Sequence, residues 1–224
     1  ARIDRLPAEE RRLLQAAAVV GKDFTFDILR AITDLPEDSV RRALDRLRTA
    51  EFVDETNLIP PEYTFKHALT HDVAYESLPV EERRGLHAKT LQAIERLHAD
   101  RLAEHLERLA HHAFYGERWS TAVTYLREAG RKAAGRAANR EAVASFEQAL
   151  AALEHLPPTR ERSEQAIDVR FELRNPLHLL GEFERIFDHL GAAQDLAEAI
   201  DDQWRVGWVL SYLAQTSRLT GNPG

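Results

Sequence analysis

Between residues 102 and 219 the chain carries six consecutive stretches with apolar residues at helical spacing and no alternating stretch among them. They run over 102–115, 119–137, 140–156, 160–180, 183–200 and 203–219, and only short breaks separate them. Amphipathic helices of this length cannot bury their apolar faces alone, so helices joined by tight turns must stack as hairpins. This half is therefore predicted to be an α-solenoid. Within it, Ala142, Phe146 and Ala149 set small, large and small residues at the spacing where two helices touch, and Pro157-Pro158 closes a unit. The breaks at Leu180-Gly181 and Thr220-Gly221 lie about 40 residues apart, a slightly long period for a two-helix repeat.

The first hundred residues read differently. Residues 7–20 begin with Pro7 and acids, place Leu13, Leu14, Ala17 and Val20 on one face, and stop at Gly21, which predicts a helix. Residues 24–32 give a second helix, and 37–50, with Val40, Leu44 and Leu47, a third. The period then changes to alternation. Residues 52–55 and 63–66 read as two short strands around a loop with Asn57 and Pro60-Pro61. Helices over 67–78 and 80–98 follow, parted by Pro79. Three helices and then two strands is the order of a winged helix with a two-stranded wing. The organisation expected is thus mainly α, with a winged-helix domain and trailing helices over 1–97 and a helical repeat region over 98–224.

Composition removes several function classes. Among 224 residues there is no cysteine, which excludes disulfides, thiolate metal sites and cysteine nucleophiles and suits a reducing cytoplasm. The net charge of −7 opposes the broad basic face of a non-specific nucleic-acid binder. No apolar run is long enough to span a membrane, and no secretory signal is present. The chain begins Ala1-Arg2-Ile3-Asp4 and lacks methionine, which reads as a piece of a longer polypeptide.

Candidate chemistry is sparse. His98, His105 and His112 recur every seven residues, but on one continuous helix neighbours would stand about 10 Å apart, too far to share a metal. His111 and His112 point about 100° apart on a helix and do not chelate together easily. His67 and His71 lie one turn apart, yet Ala68 stands where a zinc protease needs glutamate. No metal site is expected, and no phosphate-binding loop or nucleophile elbow is present, so no catalytic residue is assigned and the chain reads as non-enzymatic. In the third helix, Arg41, Arg42 and Arg46 would face DNA if the module were a DNA-binding winged helix. Glu37, Asp38, Asp45 and Glu51 offset them.

Two segments carry a family resemblance. The run from Tyr63-Thr64-Phe65-Lys66-His67 to Leu78, with Glu82 to His87 after it, resembles the winged-helix region of the signal-transduction ATPases with numerous domains, in particular bacterial members associated with adenylate or guanylate cyclase domains. The stretch from Gly116 to Ala129 resembles the second helix of a tetratricopeptide unit. The resemblance implies a regulatory, protein-binding segment of a larger cytoplasmic ATPase. ATP or ADP and Mg²⁺ would be held by a nucleotide-binding core elsewhere in that polypeptide, and a protein or small effector would sit on the repeats. It also implies that His67, at the junction of the last wing strand and the next helix, reads a nucleotide phosphate, although Ala68 departs from the family's acidic position. A helix N-terminus and an imidazole held by its second nitrogen both suit a phosphate. His67 as a helix cap, or packed beneath the wing, is the competing reading. The alternative function is a transcription regulator contacting DNA through Arg41, Arg42 and Arg46.

Overall fold

The computed structural model describes residues 2–56 and 61–220. The expected loop residues Asn57 and Pro60, and the expected break at Gly221, lie outside them. Among the described residues the chain is mainly helical, with eleven α-helices and one three-stranded sheet. It divides into two compact units, Ala1–Glu117 and Arg118–Gly224.

In the first unit α1 (Ala8–Val20), α3 (Glu37–Thr49) and α5 (Val80–Leu97) each begin directly after a proline, with a pair of acids in the first turn. Proline sets the entering φ, and the acids offset the positive helix end where no side chain caps it. Gly21 ends α1 at φ 137°, a conformation L side chains rarely adopt. The short α2 (Phe26–Ile32) starts under a cap from the Thr25 hydroxyl, which accepts from the Ile28 amide. Leu13, Leu14, Ile28, Leu29 and Val40 are completely buried where these helices meet. Each contributes about 1.5–3 kcal/mol relative to an exposed position.

The sheet differs from the expected two-stranded wing. Phe24 and Thr25, read from sequence as the start of a helix, belong with Asp23 to β1 (Asp23–Thr25), which pairs antiparallel with β3 (Glu62–Phe65); β2 (Val53–Glu55) pairs with β3 on its other side. Three residues are too few to show an alternating period, and this strand exists only because distant β3 offers it hydrogen bonds. Phe24 stacks on Tyr63 and meets Phe65 edge-on, which closes the sheet over the helices.

After the sheet come α4 (Ala68–Glu76), packed on α1, then α5, packed on α1 and α2, and α6 (Leu106–Tyr115), packed along α5. The first compact unit extends to Glu117 and so includes α6, which packs on α5. No continuous helix carries His98, His105 and His112. The helix ends at Leu97 and restarts at Leu106, so the chain doubles back and the rings of His98 and His105 lie 4.1 Å apart instead of about 10 Å.

The second unit is helical throughout: α7 (Trp119–Gly135), α8 (Asn139–Glu154), α9 (Arg160–Leu180), α10 (Phe183–Ala199) and α11 (Gln203–Thr220). Each helix packs on the next in chain order. Phe146 of α8 is buried against Gly130 of α7, where a Cβ would meet the ring at 2.6 Å, so glycine sets how closely the two helices approach. Gly181 ends α9 in the left-handed region at φ 75°, while Ala137 and Asp201 adopt the same region without glycine's freedom. Arg205 of α11 bridges Asp168 of α9 and Asp202, tying the last helix down.

Candidate functional site

The first helix after the sheet positions the site. His67 stands between β3 and α4 in extended conformation, φ −135° and ψ 132°. It is the N-cap residue of α4 through its carbonyl, which accepts from the Thr70 and His71 amides, but its side chain makes no cap bond and is exposed rather than packed beneath the wing. The first turn of α4 carries no acid, and the adjacent Lys66 turns aside to Glu51 at 2.7 Å. Leu69, in the same turn, is 74% exposed. An imidazole, a helix start without an acid or a side-chain cap, and an apolar side chain thus adjoin one another at exposed positions.

The other aromatic residues of α4 face inward. His71 is half-buried, with Nε2 3.0 Å from the Ala18 carbonyl and Nδ1 3.0 Å from Asp72, and it meets Phe65 edge-on. Its ring pins α4 to α1, so His67 and His71 do not act as a pair. Tyr75, one turn on, stacks near His71, lies beneath the Arg83 guanidinium at 4.7 Å, and its hydroxyl is 3.0 Å from His87 Nε2.

His87, on α5, is only 1% exposed. Its Nδ1 lies 2.9 Å from Nδ1 of His112 on α6, which is 2% exposed. His111 completes the group: its ring lies 5.4 Å from that of His87 and 4.6 Å from Tyr115, while its outer edge faces solvent. Gly116 allows this meeting of helices, since a Cβ there would strike the His112 carbonyl at 2.7 Å and the Ala88 amide at 2.9 Å. Ring contacts therefore run unbroken from Phe24 and Phe65 in the sheet through His71 and Tyr75 to His87 and His111.

Burial sets the protonation of this group. Desolvation, helped by the charge of His111 and Arg83, takes His87 down to about 3. Desolvation likewise takes His112 to about 2, against a hydrogen bond to the Val20 backbone that pulls the other way. His111 is lowered by desolvation where its ring packs on His87 and Tyr115. At neutral pH all three rings are uncharged, so each has one nitrogen bearing a proton and one bearing a lone pair. The 2.9 Å contact between two Nδ1 atoms is then an N–H···N hydrogen bond, one ring donating to the other.

The α3 arginines are largely occupied. Arg46 donates to Glu10 at 2.5 Å, and Glu10 is buried on α1. Arg41 pairs with Glu37 at 2.7 Å and lies over the Phe26 ring at 4.3 Å. Arg42 donates to the Ser39 hydroxyl at 3.2 Å. Reversing the charge of Arg46 would strand a buried carboxylate, so a DNA-binding test through that residue would confuse unfolding with lost affinity.

Sequence reasoning singled out His67, set His111 and His112 aside as poorly placed to chelate together, and did not weigh for chemistry His87, whose partners lie 12 and 25 residues away. Compared with models of protein families, with curated proteins and with solved structures, the chain finds no match.

Proposed function

We propose that this chain is a non-catalytic regulatory segment of a larger signalling ATPase of the STAND type, in which His67 contacts the phosphate of a bound nucleotide and the helical second unit receives an effector. The observation that carries this reading is the exposed, uncapped His67 at the start of α4, beside exposed Leu69. The chain order α1, β1, α2, α3, β2, β3 with a three-stranded antiparallel sheet is that of a winged helix, and the serial packing of α7 to α11 suits a tetratricopeptide-like solenoid. Trp204 and Trp208 of α11 are exposed and lie edge to face, apolar surface of the kind an effector protein covers.

The switch would work through differential affinity. ADP, held by a core that also binds Mg²⁺, would keep the α4 start docked, and ATP would release it. The rival DNA-binding reading is left chiefly with Arg42, since Arg41 and Arg46 hold carboxylates. Hydrogen exchange tests the proposal in a polypeptide that joins this chain to its nucleotide-binding core. The amides of residues 68–71 should exchange more slowly with ADP bound than with a non-hydrolysable ATP analogue. Equal exchange in the two states contradicts a nucleotide-dependent contact.

A further inference from the structure

The structure assigns a second site to the first unit: His87, His111 and His112 form a three-imidazole site for a divalent transition metal, with Zn²⁺ the expected occupant. One ligand atom from each residue lies within 4.8 Å of the others, supplied by two helices that pack against each other. Tetrahedral zinc with Zn–N of about 2.0–2.1 Å sets its ligand nitrogens roughly 3.3 Å apart. His87 and His112 are already at 2.9 Å through Nδ1, and His111 brings a ring nitrogen within 4.8 Å of both from the solvent side. Three protein ligands leave a fourth position for water on the side that His111 opens.

The surroundings match what ligating imidazoles require. His87 has Tyr75 at its outer nitrogen and His112 has the Val20 backbone, partners that orient the rings. Without metal, the proton between the two Nδ1 atoms holds them together. Metal entry moves that ring's proton to its other nitrogen, so both Nδ1 lone pairs face the ion and neither ring changes charge. For His87 the arriving proton is donated to the Tyr75 oxygen. The charges that reach the cluster are those of Arg83 and Arg108. Nothing there suits Mg²⁺ or Ca²⁺, which need oxygen ligands, whereas neutral imidazoles suit zinc, copper, nickel or cobalt.

This site is independent of the nucleotide reading and would stand if that reading failed. Its test is calorimetric titration of the chelator-treated chain with Zn²⁺, alongside thermal melting. One Zn²⁺ per chain should bind saturably and raise the melting temperature, and Co²⁺ should give the visible spectrum of a tetrahedral site. His111→Ala, a change at a solvent-facing position, should keep the fold by circular dichroism and weaken Zn²⁺ binding more than about tenfold; Tyr75→Phe should weaken it about tenfold through the outer partner of His87. A His98→Ala, His105→Ala double variant should bind as the wild type does. Absence of one-to-one binding by the wild-type chain overturns the assignment, as does undiminished binding by His111→Ala. Loss of binding in the double variant also overturns it, since the ion would then sit on the His98–His105 pair.

Discussion

Glu10 is 1% exposed and ionised, held by a 2.5 Å bond from Arg46. That bond is the largest cause lowering its pKa from 4.5, against desolvation. A depressed folded pKa means that the carboxylate adds stability above pH 4.5, and that the contribution is lost as pH falls through the depressed value, because the unfolded chain takes up the proton first. Glu10→Gln, a stand-in for the protonated form, should melt at lower temperature than wild type at pH 7. The difference should shrink steadily as pH drops below 4.5 in paired melting curves. A pH-independent difference would place the effect in packing instead. Sequence placed Glu10 correctly at a helix start, but its partner sits 36 residues away and left no local signal. His87 was hidden in the same way. The place of His67 was legible, because a strand ends and a helix begins around it; the role proposed for it comes from the family resemblance alone.

At the scale of elements, periodicity marks faces well and long-range pairing poorly. The helices from 119 onward could be read because each carries its own amphipathic stripe, and α9 even continues through the buried Pro176, where packing by α8 and α10 outweighs the missing hydrogen bond. Strand β1 could not, since its formation depends on β3 almost forty residues further along the chain. Two glycines separate close approach from helix propensity. Gly130→Ala drives a Cβ into the Phe146 ring and should destabilise the chain by about 1–3 kcal/mol. Gly191→Ala, mid-helix in α10 with nothing within 4 Å, should stabilise it by about 0.5–1 kcal/mol. Denaturant midpoints that move in the same direction for both variants would contradict the packing assigned to α7 and α8.

For the whole molecule, the two units divide the chemistry unevenly. The first concentrates the aromatic and imidazole contacts, which run from the sheet to α6 through α4, the helix that begins at His67. Among the described residues of the second, the ion pairs tie helices together, as Glu172 does in binding both Arg127 and Arg131. A net charge of −7 and the engagement of Arg41 and Arg46 by carboxylates weigh against the DNA-binding alternative. Among the described residues no helix is long and apolar enough to cross a membrane. The proposed role of His67 is tested by the rate of ADP release from a polypeptide containing both this chain and its nucleotide-binding core. Loss of a charge-assisted hydrogen bond to phosphate is worth about 1.5–3 kcal/mol, so His67→Ala should accelerate ADP release by roughly tenfold or more. ADP release unchanged by that substitution, with the fold intact, would contradict the account.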